Sequence, residues 1–133
     1  MTYLLDTNTC IQFLSTRHSA VQRRMATVSS DDVVICQIVK AELFYGAYKS
    51  TRREANLTLL AKFLSQFVSL PFDDTSAEIY GRIRAELARA GTPIGPNDLM
   101  IAAIALAHNL PLVTHNVGEF GRVTGLHLED WEV

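Results

Sequence analysis

The sequence predicts an α/β protein, specifically a three-layer α/β/α sandwich around a central parallel sheet of four to five strands. Two observations support this prediction. Short runs of consecutive apolar residues alternate with segments of helical periodicity along the chain, a pattern typical of buried parallel strands joined by helices. Several runs end abruptly in polar or acidic residues, and the carboxyl ends of parallel strands line the crevice where such proteins bind ligands.

Length and composition indicate one domain, residues 1–133. A chain of 133 residues can bury roughly two thirds of its unfolded surface. Hydrophobic residues make up 48% and charged residues 20%, which argues against a disordered chain. No stretch is long enough to cross a membrane and no secretory signal opens the chain, so the expected compartment is the cytoplasm. Cys10 and Cys36 are therefore expected to be reduced and buried.

The first strand is predicted over Met1–Leu5 and ends at Asp6. The polar residues Thr7–Thr9 are expected to cap a short helix over Cys10–Leu14, because hydroxyl and amide side chains accept hydrogen bonds from free N–H groups at helix starts. Apolar residues at helical spacing predict a second helix across Arg17–Val28.

Val33–Cys36 is a continuous β-branched run followed at once by a helical pattern over Gln37–Lys49. Glu42 lies within this second unit, and its neighbours at three and four residues are mostly apolar. The side chain is therefore expected to face inward or to lie at the edge of this apolar stripe. A lone buried acid is costly unless it is paired, protonated or bound to a metal.

An amphipathic helix is predicted over Arg52–Phe67, pairing with the helix before it. Val68–Phe72 is predicted as a strand at the sheet edge, because Pro71 cannot donate a backbone hydrogen bond. A long helix then runs from Asp73 to Ala90, with charged pairs on its solvent face.

The helix predicted over Asn97–Asn109 is apolar all round and therefore buried. Asp98 is its only charge before His108, and it lies in the first turn, where the helix dipole favours an anion. Asp98 could merely cap the helix, but Asn97 is the better candidate for that role.

A further strand is predicted over Leu110–Thr114, and the polar cluster His115–Phe120 follows its carboxyl end. Leu126–Leu128 is predicted as the last strand. Asn116 and Glu119 belong to the polar cluster, so they are expected at the same edge of the sheet as Asp6.

One crevice is thus expected to collect three or four acids: Asp6, Glu42, Asp98 and Glu119. Clustered carboxylates repel one another unless they share a proton or hold a hard divalent cation. Mg²⁺ and Mn²⁺ prefer oxygen ligands, and their usual role in such a site is phosphate-ester hydrolysis. The net charge of −2 does not exclude a nucleic-acid partner, because without these acids ten remain against 12 basic residues.

Four stretches of the chain resemble the PIN domain, and more narrowly the VapC ribonuclease toxins of bacterial toxin–antitoxin pairs. They are Leu4–Asn8, Lys40–Leu43, Gly95–Asp98 leading into Ile101–Ala103, and Val113–Phe120. The resemblance covers essentially the whole chain. It implies a Mg²⁺-dependent endoribonuclease, with Mn²⁺ as the alternative ion, that leaves 5′-phosphate and 3′-hydroxyl ends.

In this resemblance Asp6, Glu42 and Asp98 correspond to the acidic metal site. Asn116 stands where many PIN domains carry a fourth Asp, and Glu119 is the candidate to take that role. The resemblance also extends to the subgroup that cuts initiator tRNA in its anticodon stem-loop. That likeness rests on Ile83–Arg89, on Gly95–Pro96 and on Glu129–Trp131.

Candidate substrate contacts are Asn8, Arg17, Lys40, Arg84 and His115. The three basic residues would hold phosphates of looped RNA, whose bases and backbone can be splayed into a crevice; a solvated face is the alternative for each. His115 follows a strand end near the proposed site, and a surface loop residue is its alternative.

The resemblance implies two partners, a VapB-type antitoxin and a second copy of the chain. The antitoxin would enter a groove near Phe44, Tyr45 and Tyr48, and these aromatics are otherwise core residues. Two other functions stay open: a degenerate PIN scaffold that binds RNA or protein without cutting, and a different metal-dependent phosphohydrolase.

Overall fold

Five parallel strands form one sheet in the computed structural model, which describes all 133 residues. The strands are β1 (Tyr3–Leu5), β2 (Val33–Cys36), β3 (Val68–Leu70), β4 (Leu112–Val113) and β5 (Leu128–Glu129). Their spatial order is β3-β2-β1-β4-β5, and every neighbouring pair is parallel. This confirms the predicted fold class, and it confirms that the Pro71-flanked strand lies at the sheet edge.

Seven helices connect these strands. They are α1 (Thr7–Ser15), α2 (Ala20–Met25), α3 (Gln37–Lys49), α4 (Arg53–Leu64), α5 (Asp74–Ala90), α6 (Pro96–Ala107) and α7 (Val117–Phe120). α3 packs against α4, as predicted, and α5 packs along α6. No helix combines the length and the apolar character needed to span a bilayer.

The core is one cluster of buried apolar side chains, to which the central strands, α3, α4 and α6 all contribute. Leu4, Leu5 and Ile35 of the sheet are fully buried, and so are Ile101 and Ile104 of α6. Full burial of each such side chain contributes roughly 1.5–3 kcal/mol relative to exposure. The prediction that α6 is buried is confirmed. Both cysteines are likewise buried and free.

The first two helices differ from prediction at their N-termini. α1 begins at Thr7, not Cys10, because the Asp6 carboxylate itself caps it by accepting the Thr9 N–H at 2.8 Å. α2 is shorter than predicted because His18 has a left-handed φ of 58°, which interrupts the helix, and Ser19 then caps a new start.

The start of α6 also differs from prediction. Gly95 is the N-cap residue and Pro96 is the first helical residue, a position where the missing N–H of proline has no cost. Asn97 is therefore not the cap, and its side chain is free to make a tertiary contact. Helix α7 was not predicted; it forms from the polar cluster that follows β4.

Candidate active site

The crevice lies where the chain order reverses across the sheet. β1 pairs with β2 on one side and with β4 on the other, so the connections leaving β1 and β4 diverge at their carboxyl ends. Such switch points are the usual ligand sites of open α/β sheets. Asp6 follows β1 directly, and Thr114 follows β4. α3 begins directly after β2 and carries Glu42 one to two turns further along.

Asp6 is a buried carboxyl group, only 5% exposed. Burial raises its pKa, and the negative charge of Glu42 raises it further. Hydrogen bonds from the side chain of Thr114 and from the backbone N–H of Thr9 oppose this effect but do not overcome it. The surroundings of Asp6 therefore favour the neutral form of its carboxyl group over the charged form.

Glu42 joins three helices at the site. One carboxylate oxygen accepts a hydrogen bond from the Thr7 hydroxyl of α1. The other accepts a hydrogen bond from the Asn97 side-chain amide of α6 at 3.4 Å. The prediction that Glu42 faces inward or lies at the edge of the apolar stripe is confirmed, since the residue is half-buried at the edge of the core.

Asp98 is the most perturbed acid of the site. It is partly buried in the first turn of α6. Burial raises its pKa from 3.8 to about 6, with further contributions from the charges of Glu119, Glu42 and Asp6. These four carboxyl groups therefore interact electrostatically as one cluster, although they come from four separate segments of the chain.

Asn116 and Glu119 form a pair at the rim of this cluster. The Asn116 amide donates to Glu119 at 2.9 Å, and the Gly95 N–H donates to the other Glu119 oxygen at 3.2 Å. These two hydrogen bonds lower the pKa of Glu119. Glu119 is therefore a charged carboxylate held in place by two hydrogen bonds, one of which engages the Asn116 side-chain amide.

The donor set fits a hard divalent cation. All the candidate ligands are oxygen donors, and repulsion within the cluster is what a cation relieves. No group of three or more His, Cys, Asp or Glu side chains is arranged to enclose an ion. One or two carboxylates together with water would be sufficient to hold a hard divalent cation. A cation would stabilise the charged forms of Asp6 and Asp98 most, because the pKa values of these two acids are raised.

The five candidate substrate residues separate into two groups. Asn8 and His115 line one cleft together with Asn116. Arg17 is exposed beyond α1, Lys40 is partly exposed on α3, and Arg84 is exposed on α5, where it donates to the Tyr80 hydroxyl at 2.6 Å. None of these three bases forms an ion pair with a site carboxylate.

Sequence reasoning missed the residues that brace the acids. Thr7, Asn97 and Thr114 contact Glu42 or Asp6, and the Thr114 hydroxyl also accepts the Asn116 N–H at 3.0 Å. One signal was available, because Thr7 and Asn97 are each adjacent in sequence to a predicted acid. Nothing local distinguishes them from ordinary helix caps.

The aromatic residues of α3 are exposed, so the alternative that they are core residues is wrong. Phe44, Tyr45 and Tyr48 are 37%, 66% and 56% exposed. An apolar groove between α1, α3 and α4 reaches Glu42, and none of these three aromatics lines it. Its apolar lining residues are Ile11, Leu14, Leu43, Ala47, Leu59 and Leu60.

Comparison with known proteins gives consistent results. The PIN domain family model matches residues 3–126. The tRNA(fMet)-specific endonuclease VapC of Salmonella typhimurium is 42% identical over 129 residues, which covers 97% of each chain. Ribonuclease VapC2 of Rickettsia felis is 38% identical over 133 residues, or 99% of each.

Solved structures agree with these relatives. A chain of DNA-bound VapBC from Salmonella typhimurium superposes with a TM-score of 0.93 at 42% identity, covering 98% of both chains. VapBC2 from Rickettsia felis, bound to a DNA fragment from its promoter, gives a TM-score of 0.92 at 38% identity, covering 98% of this chain and 99% of that one.

Proposed function

The chain belongs to the PIN domain family, and from that premise we propose that it is the ribonuclease toxin of a toxin–antitoxin pair. Residues 1–133 would act as one domain, because one sheet contains every strand. The substrate proposed is tRNA, specifically the anticodon stem-loop of initiator tRNA, and we place the activity in the cytoplasm, where tRNA is found. The 42% identity to a tRNA(fMet)-specific endonuclease over 97% of both chains supports this choice.

The observation that carries the proposal is the convergence of acids at the carboxyl edge of the sheet. Asp98, with a pKa raised to about 6, interacts with Asp6, Glu42 and Glu119. PIN-domain ribonucleases are generally metal-dependent, and among metals we propose Mg²⁺, with Mn²⁺ as the alternative, because every ligand is an oxygen. When bound, the cation supplies charge neutralisation at the phosphodiester and activation of water.

The side chains would divide this work according to their surroundings. Asp6 and Asp98 would hold the cation, since the pKa of each is raised and hydrogen bonds do not fully offset the cost of its charged form. Glu42, fixed by Thr7 and Asn97 on two other helices, would orient the attacking water and accept its proton. Glu119, kept charged by its hydrogen bonds, would complete the shell at the rim.

A protein partner is also part of the proposal. The structural neighbours are VapBC complexes, which supports a VapB-type antitoxin as the inhibitor of this chain. The apolar groove beside Glu42 has the character of a surface that an apolar peptide segment would cover. A second copy of the chain in the assembly is proposed on the family resemblance alone.

The direct test is to incubate the purified chain with total tRNA and Mg²⁺ and to map new 5′ ends. We expect one cut in the anticodon stem-loop of initiator tRNA, leaving a 5′-phosphate. The cut should disappear when the metal is chelated and in Asp6→Asn, while circular dichroism shows that this variant stays folded. Folded protein that binds RNA without cutting would identify a degenerate scaffold. Turnover of small phosphate esters with no cut in any RNA would identify another phosphohydrolase.

A further inference from the structure

The cleft lined by Asn8, His115 and Asn116 opens beside the acidic cluster. It has a volume of about 360 Å³ and lies between α1, the segment after β4 and the C-terminal tail. Its lining residues are Asn8, Ile11, Gln12, His115, Asn116 and Glu132. Asn8 is two residues from Asp6, and the Asn116 amide touches Glu119. A ligand in this cleft would therefore adjoin any phosphate held by the acids.

The lining does not favour a phosphate group. No Lys or Arg lines the cleft. The hydrogen bond to Asp130 raises the pKa of His115, and the carboxylates of Asp130 and Glu132 offset the positive charge of the ring, so the lining does not favour an anion. The amide side chains offer both donors and acceptors, and the imidazole offers a donor at Nε2. The Asn8 and Gln12 side chains lie one turn apart on α1, and Ile11, 43% exposed, adds an apolar surface beside them.

The imidazole of His115 is held in place from the protein side. Its Nδ1 lies 2.9 Å from Asp130, whose other carboxylate oxygen accepts the Glu132 N–H at 3.0 Å. The His115 side chain is 59% exposed, whereas that of Asp130 is 17% exposed. The ring is thus anchored on one nitrogen while Nε2 and a ring face remain available, and Asp130 acts as a positioning residue.

We propose that this cleft binds the base of a nucleotide next to the scissile phosphate. A planar, uncharged ring with donors and acceptors on its edge matches amides that can read the edge and an apolar side chain and imidazole that can lie against its face. The cleft would then determine which nucleotide is accepted beside the cut. This inference rests on the proposed ribonuclease function.

The test combines side-chain removal with base removal. RNA stem-loops would carry each of the four bases, or an abasic nucleotide, at the positions flanking the cut, and kcat/KM would be measured for wild type, Gln12→Ala and His115→Ala. We expect wild type to prefer one base at one flanking position by about tenfold or more, and each variant to lose most of that preference. On abasic RNA the effect of each substitution should shrink to less than about twofold.

Two further variants complete the design. Asp130→Asn should weaken the same base preference without lowering Tm, and its effect should also vanish on abasic RNA, which a merely structural role would not produce. Gln66→Ala is the matched control, because Gln66 is an exposed amide whose side chain donates to the Lys62 carbonyl oxygen and does not line the cleft. It should retain the full base preference.

The possible failures are distinguishable. Cleavage by wild type with unchanged base preference in Gln12→Ala and His115→Ala would overturn the base cleft and leave the ribonuclease proposal standing. Equal losses on abasic and intact RNA would also overturn it, since the side chains would then act on something other than the base. Absence of RNA cleavage by wild type would overturn both proposals.

Discussion

Asp6 and Asp73 occupy equivalent positions in two helices of this protein, yet their environments oppose each other. Each residue precedes a helix and accepts the backbone N–H three residues on, at 2.8 Å for Thr9 and 2.9 Å for Ser76. Asp6 is 5% exposed and its pKa is raised. Asp73 is exposed and its pKa is lowered.

The difference lies in what surrounds the shared hydrogen bond. At Asp73 the N–H and hydroxyl of Ser76 stabilise the carboxylate, and these hydrogen bonds lower its pKa. At Asp6 similar hydrogen bonds are outweighed by burial and by the charge of Glu42. The same capping motif therefore stabilises the charged carboxylate of Asp73, whereas the charged form of Asp6 remains unfavourable. Both residues follow the carboxyl end of a strand, β1 for Asp6 and the edge strand β3 for Asp73. Burial beside the central strands, and not the capping motif, therefore distinguishes Asp6.

The largest expected effect is on catalysis, and it separates the two kinds of aspartate. Asp98→Asn, which removes the charge of a cluster acid, should lower RNA cleavage by about 100-fold or more, since changing residues that only support metal ligands already costs about 10–100-fold in affinity or activity. The Tm without metal should stay level or rise, because repulsion within the cluster falls. Asp73→Asn is the matched control at an exposed helix start, and it should cleave normally. Comparable cleavage by both variants would contradict the assignment.

Much of the acidic cluster could be predicted from the sequence. Asp6, Glu42 and Asp98 are each a charged residue among apolar neighbours in the sequence, and they keep apolar surroundings in the fold. β2 and α3 have the predicted bounds, since a β-branched run passes directly into a helical pattern.

The contacts that brace the acids could not be predicted. Thr7 and Asn97 reach Glu42 from α1 and α6, and such contacts depend on how those helices dock rather than on local pattern. Asn97 illustrates the problem, because an Asn near a helix start favours a cap locally. Pro96 shifted the helix start by one residue, and the amide became a tertiary donor instead. The paired Asn116 and Glu119 likewise depend on α7, a short helix with no periodic signal.

A smaller effect is expected on stability as pH and metal are varied. The folded pKa of Asp98 is about 6, above its ordinary value of 3.8. Protonation of Asp98 therefore stabilises the folded state fully below about pH 4, and this stabilisation is lost as the pH rises through about 6. Above that pH a bound cation replaces the proton, so Mg²⁺ should raise Tm clearly at pH 7.5 and little at pH 5.

Thermal unfolding with and without Mg²⁺ at both pH values measures this dependence. In Asp98→Asn the Mg²⁺-induced rise in Tm at pH 7.5 should be largely lost, because a ligand is missing. Asp73→Asn should keep it. An equal Mg²⁺ effect on Tm at pH 5 and pH 7.5 in wild type would show that the cation does not compete with the Asp98 proton.

The smallest effects are expected from the hydroxyl groups that support each aspartate. Ser76→Ala removes the 2.7 Å hydrogen bond from a buried hydroxyl to Asp73 and should lower Tm by a few degrees at pH 7. The pKa of Asp73 is lowered in the fold, so its stabilisation exists above about 3.8 and is lost as pH falls through the folded value. The Ser76→Ala deficit should accordingly shrink in acid, with cleavage unchanged.

Thr114→Val makes the corresponding change at the sheet edge. It removes a hydrogen bond that lowers the pKa of Asp6, so that pKa should rise further and the acid limb of the pH–rate profile should move to higher pH. Tm should also fall, because Thr114→Val leaves the Asn116 N–H without the hydroxyl that accepts its hydrogen bond. Since Ser76→Ala should leave the pH–rate profile in place, a shift in both variants, or in neither, would show that the two hydroxyls serve their aspartates in the same way.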